Sequence, residues 1–272
     1  MEDQHASEAV VVSVENGIAD VRINRPDKLN AINNDVFDSL IRIADDLEAD
    51  RRVRVVVLSG NGDGFCAGLD MSLFAGMRDT DASAESLETL STRTHGIANR
   101  PQQAVWAWRS LRVPVICAVH GVALGGGFQV MLGSDIRIVH PQTRLSILEI
   151  KWGLIPDMAG TPIMHSLAAD DVIRELTYTG RVFSGEEAAR YGFATRTSET
   201  PFEDALALAQ EIASKSPDAV QTAKTLYNRV AHSDAAGQLL SESELQDRLM
   251  GKPNQLESVF AALEKRPAVF SD

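Results

Sequence analysis

Apolar and polar positions alternate near the start of the chain, in "AVVVSVENGIADVRIN". The two runs meet at Asn16-Gly17, a dipeptide that closes tight hairpins, so this stretch predicts two antiparallel strands. The period then changes: Val36, Phe37, Leu40, Ile41, Ala44 and Leu47 recur at helical spacing, with Asn33 or Asn34 placed to cap the first turn. "VRVVVLSG" and "VPVICAVHG" are unbroken apolar runs, the pattern of buried strands, and "PQQAVWAWRSLR" between them predicts a helix. "SDIRIVH" and "RLSILEI" predict further short strands. From about Thr161 helical patterns dominate, in "PFEDALALAQEIASKS", "DAVQTAKTLYNRVAH", "SESELQDRLMG" and "NQLESVFAALEKR". Strand–helix alternation followed by helices predicts an α/β fold. Its expected divisions are a disordered tail at 1–9, a core at 10–200 and a helical region at 201–272 that docks or oligomerises.

Composition narrows the function classes. The 272 residues are 44% hydrophobic and 24% charged, as in an ordinary soluble protein, and suffice for a buried core. With 26 basic and 38 acidic residues the net charge is −12, which argues against nucleic acid or an anionic membrane as partner. A small anionic ligand held by a few local cations stays open. No apolar run approaches the roughly 20 residues of a membrane span, and "MEDQHASEA" lacks a signal-peptide core, so a cytoplasmic location is expected. Cys66 and Cys117 read as two buried thiols, with no disulfide framework. His5, His95, His120, His140, His165 and His232 show no metal-ligand spacing, so no metal is expected.

Two glycine-rich segments follow buried strands. "SGNGDGFCAGLDM" does not fit a dinucleotide fingerprint. "VALGGGFQV" joins a strand to an apolar helix-like run, and two readings stand: a tight packed turn, or backbone N–H groups at a helix start that hold developing negative charge.

"FCAGLDM" and "AVHGVALGGGFQV" together resemble the crotonase superfamily, the enoyl-CoA hydratase and isomerase group. The resemblance runs from "RINRPDKLNAIN" to "LEKRPAVF", nearly the whole chain. It implies a spiral of ββα units with C-terminal helices that assemble trimers or hexamers. It also implies an acyl-coenzyme A substrate whose thioester enolate is held by two backbone N–H groups, here at Leu69 and Gly126. Coenzyme A then belongs to the substrate, and no separate cofactor is expected. Lys28 falls on the nucleotide-side loop, and Lys265 where a neighbouring subunit's lysine reaches the nucleotide phosphate; Ala67 is expected at the substrate, and Trp152 reads either as packing near the acyl pocket or as filling the core.

Hydratases of this group carry two glutamates 20 residues apart; here the first position is Gln129 and the second is Glu149. An amide holds water or substrate but exchanges no proton near neutral pH, so Gln129 is expected at the substrate and efficient hydration is not. Glu149 is a lone carboxylate in an apolar stretch; buried, it would suit a general base, and an edge glutamate reaching solvent is the alternative. Asp157, after Pro156, reads either as a helix N-cap or as the second acid that dienoyl-CoA isomerases of the group carry at the matching position. Glu149 with Asp157 favours a double-bond isomerase over a hydratase or a non-catalytic acyl-CoA-binding subunit.

Overall fold

In the computed structural model of the protein, residues 8–75, 89–215, 217–231, 247 and 250–266 are described. The hairpin forms as the alternation predicts: β1 (Val10–Glu15) and β2 (Ile18–Ile23) pair antiparallel about Asn16 and Gly17. α1 (Asn34–Ala49) follows, its first turn capped by the Asn33 side chain, which accepts the Val36 N–H at 3.0 Å. It leads to β3 (Val55–Gly60), which lies parallel to β2. After the short α2 (Ser72–Ala75) and α3 (Arg100–Ser110), β4 (Val115–Val119) extends the parallel sheet.

β5 (Val122–Leu124) leaves this sheet, and α4 (Gly126–Leu132) begins at the glycine triplet. β6 (Ile136–Val139) returns to the main sheet, and β7 (Arg144–Ser146) pairs parallel with β5. The short helices α5 (Gly160–Met164), α6 (Asp170–Thr179) and α7 (Gly185–Tyr191) precede β8 (Arg196–Thr197). The main sheet has the order β1-β2-β3-β4-β6-β8, with β5-β7 as a second, two-stranded sheet. α8 (Pro201–Ala213), α9 (Pro217–Ala231) and α10 (Pro253–Leu263) complete the described helices.

The unbroken apolar runs are explained by two covered faces. Val56, Leu58, Val115, Cys117 and Val119 point into the larger core with Leu40 of α1 and Trp108 of α3. Val55, Val57, Ile116, Ala118 and Ile138 point the other way, onto Ala205 and Ala209 of α8. Thus α8, which the pattern assigns to the C-terminal helical region, covers the second face of the sheet.

The structure also corrects local expectations. "RLSILEI" is strand only as far as Ser146; Glu149–Trp152 is a turn of 3-10 helix, closed by Gly153 at φ +69°. The turn releases Glu149 from the sheet edge and buries it while Ile150 faces outward. Residues 1–7 lie outside the described ones, but Ala9, placed in the expected tail, packs on the core and accepts the Asn24 N–H at 2.8 Å. The helix expected over "SESELQDRLMG" lies largely outside the described residues. Among the described residues no helix is long and apolar enough to cross a membrane.

Candidate active site

Four loops meet where β2, β3, β5 and β7 end. Asn30 is wholly buried; its side chain accepts the Arg25 N–H at 2.7 Å and donates to the Asn61 and Gly64 carbonyls at 2.8 and 2.7 Å. Arg25 reaches the Ala31 carbonyl and pairs with Asp70 at 2.9 Å. The segment Cys66–Leu69 is then held on two sides. Cys66 N–H donates to Val122 and Leu124 N–H donates to Cys66, while Ala67 N–H donates to Leu29.

The glycine triplet packs against this segment. Gly125 adopts φ +49°, a conformation costly for other residues, and a Cβ on Gly127 would stand 2.3 Å from the Cys66 carbonyl oxygen. Gly126 is the first residue of α4, where a backbone N–H has no intrahelical acceptor. Leu69 bridges Ile32 in parallel fashion, with Ile32 N–H to Gly68 and Asp70 N–H to Ile32 as the bonds. Such a bridge uses the neighbours of Leu69, so its own N–H turns the other way. Neither the Leu69 nor the Gly126 N–H has a hydrogen-bond partner among the described residues.

Both residues line one cavity of about 470 Å³. Lys28, Ala67, Glu149, Trp152 and Asp157 line it as well, so seven of the nine residues singled out in the sequence share its wall. Met71, Leu124, Leu154 and Met158 supply apolar surface, and Leu154 packs with Val259 of α10. Asp157 is not the N-cap residue of α5, which starts three residues later with Ala159 in that position.

Glu149 is buried, and burial pushes its carboxyl up to about 7, against the opposing pull of its hydrogen bonds, including that from Gln129. Its Oε1 accepts the Gln129 Nε2–H at 2.7 Å, while Oε2 has no hydrogen-bond partner.

One expected ligand contact is placed elsewhere. Gln129 is 1% exposed and absent from the cavity wall; its side chain is spent on Glu149 and on the Met158 and Gly160 N–H groups at 2.9 and 3.0 Å. The reason is geometric: Gln129 sits on the inner side of α4, behind Glu149. Lys265, expected at a neighbouring subunit's ligand, is exposed at the end of α10 and lies outside the cavity of its own chain.

Sequence reasoning missed Lys151, a second cation on the cavity wall, whose ammonium lies 5.1 Å from the centre of the Trp152 ring. Its position two residues after Glu149 was the signal the sequence offered. It also missed the Arg25–Asp70 pair, because those residues are 45 positions apart. Among the described residues no three His, Cys, Asp or Glu side chains are grouped as metal ligands would be.

A cavity with two free backbone donors and one high-pKa carboxyl can stabilise an oxyanion and move a proton beside it. The sequence model of the enoyl-CoA hydratase/isomerase family matches residues 13–272. The chain belongs to the enoyl-CoA hydratase/isomerase family. It is 30% identical over 260 residues to the short-chain-enoyl-CoA hydratase of Clostridium acetobutylicum, covering 94% of this chain and 95% of that one. Identity to the mitochondrial methylglutaconyl-CoA hydratase of Mus musculus is 29%, covering 92% and 78% of the two chains.

An enoyl-CoA hydratase/isomerase from Pseudoalteromonas atlantica T6c superposes with a TM-score of 0.84 at 25% identity, over 97% of this chain and all of that one. One from Mycobacterium paratuberculosis gives 0.83 at 23% identity, over 94% and 99%. The fold of this family member is therefore the crotonase fold, and its family acts on acyl-CoA thioesters.

Proposed function

We propose that this protein is a double-bond isomerase of enoyl- or dienoyl-CoA thioesters. The observation that carries the reading is the pairing of Glu149, on the cavity wall near its own pKa at neutral pH, with an amide at position 129 whose polar atoms are spent on the protein. Of the two carboxyls that hydration needs in this family, one is absent; the other acids on the wall are Asp157 and Asp70, and Asp70 is paired with Arg25.

In the proposed reaction the thioester oxygen sits between the Leu69 and Gly126 N–H groups. Ionised Glu149 removes a proton from a carbon conjugated with the thioester, and the electron pair moves onto that oxygen as an enolate. The enolate collapses as a proton returns to a different carbon, from Glu149 or from Asp157. The double bond has moved and the mass is unchanged. A group with pKa near the working pH serves both halves, because it takes the proton and gives it back at little cost. Lys28 and Lys151 at the wall supply local positive charge for the polyanionic coenzyme. Ala67 and Trp152 flank the acyl group in this reading, and the C-terminal helices assemble a trimer in which Lys265 reaches a neighbour's nucleotide.

Hydration is the second reading, favoured by the names of the relatives. The test is incubation with a panel of enoyl- and dienoyl-CoA thioesters, reading mass and double-bond position. Isomers of unchanged mass support the proposal; products heavier by one water, formed fast, overturn it. No conversion of any thioester would point to a binding subunit.

A further inference from the structure

We propose that Gln129 is a positioning residue, which fixes the Glu149 carboxyl so that its proton sits on Oε2. The inference takes from the reading above only that Glu149 carries that proton.

The orientation of the amide is over-determined. Its Oε1 accepts from two backbone donors, Met158 N–H at 2.9 Å and Gly160 N–H at 3.0 Å. Flipping the amide would set an NH2 group against both. The other end must therefore be Nε2, a donor with no acceptor capacity, and it faces Glu149 Oε1 at 2.7 Å. A proton on Glu149 Oε1 would collide with that donor, so the protonated acid carries it on Oε2, the buried oxygen with no hydrogen-bond partner.

The same amide takes the place of a local cap on α5, whose N-cap Ala159 has no side-chain acceptor. Gly160 makes the approach possible, since a Cβ there would lie 2.6 Å from Gln129 Oε1. One side chain thus ties Glu149 to the segment that carries Asp157, across sequence separations of 20 and about 30 residues.

Other charges around Glu149 are Asp157 and Lys151 on its own segment, and Lys28 and Asp70 across the cavity. On the helices packed against its turn, Asp170, Glu175 and Glu257 are each paired with an arginine, and Asp171 is exposed.

The test is pH-dependent infrared difference spectroscopy of the protonated carboxyl, which needs no substrate. Glu149 is assigned as the carboxyl band that disappears in Glu149→Gln. In Gln129→Met its carbonyl loses the Nε2–H donor, so the band moves to higher frequency. Its pH midpoint rises by about one unit, because a donor to the ionised form is gone. An unchanged band and midpoint in folded Gln129→Met overturn the proposal.

Gln129→Glu guards against misfolding, because a carboxylate still accepts from Met158 and Gly160. Its second oxygen then faces Glu149 and the two carboxyls share a proton, so the second step of the pair moves up by at least about one pH unit. A single unchanged midpoint in Gln129→Glu also overturns it. Wild-type turnover of the thioester panel is read separately. If no thioester is isomerised while the bands respond as stated, the reaction reading fails and the positioning role stands.

Discussion

Lys224 Nζ lies 2.8 Å from Asp135 Oδ2, buried at the junction of α9 with the sheet. The ammonium also donates to the Trp108 and Val113 carbonyls at 3.2 and 2.8 Å. Trp108 belongs to the last turn of α3, where carbonyls lack intrahelical donors and a cation is favoured. Asp135 Oδ2 in turn accepts the Val115 N–H at 2.8 Å, so one ion pair joins α9, α3 and the start of β4.

Lys224→Met removes all three donors and leaves Asp135 with less compensation. We expect a loss of about 2–4 kcal/mol in stability, by the cost of breaking a buried pair. A fall in the urea midpoint at unchanged slope is the expected result. A midpoint equal to that of wild type would show that the pair contributes nothing net.

Glu149 is raised from 4.5 to about 7, so its linkage runs against stability at high pH. Below 4.5 the carboxyl is protonated in both folded and unfolded chains, and the folded state bears no penalty. Between 4.5 and about 7 the unfolded chain ionises while the folded chain keeps its proton, so stability falls across that window and is level above it. Glu149→Gln therefore raises the melting temperature at pH 8, by an amount corresponding to at most about 3 kcal/mol, and leaves it unchanged at pH 4. The same variant abolishes turnover. Equal melting curves at pH 8 would place the carboxyl in a more polar setting than its burial indicates.

Gly126→Pro deletes one of the two unpartnered N–H groups at the first position of α4, where proline is tolerated by helices. Turnover is expected to fall at least about 100-fold, the usual cost of losing an oxyanion donor. Circular dichroism checks that the variant is folded. Near-normal turnover in a folded variant would remove Gly126 from the proposed oxyanion site.

The C-terminal helices and Lys265 are tested together. Light scattering is expected to show a trimer or hexamer at micromolar concentration. Lys265→Ala should weaken coenzyme A binding and spare a pantetheine thioester that lacks the nucleotide. A stable monomer, or equal weakening of both ligands, would count against the assembly and the phosphate contact respectively.

The residue pattern by itself determined what depends on local period and on one-dimensional burial. The Asn16-Gly17 hairpin, α1 with its Asn33 cap, and the buried runs of β3 and β4 are legible because alternation, helical spacing and unbroken apolar runs each suit one environment. The glycine triplet and a lone glutamate in an apolar stretch pointed to the cavity, because close backbone approach and carboxylate burial both leave marks in composition.

Only the tertiary structure decided the rest. Glu149 leaves its strand at a turn, Asp157 stands outside the N-cap position of α5, and α8 serves the far face of the sheet. Gln129 stays off the cavity wall, its oxygen held by the N–H groups of Met158 and Gly160, about 30 residues on. Which backbone donors are left open depends on where distant loops turn and meet, and neither hydrophobic period nor residue type carries that information.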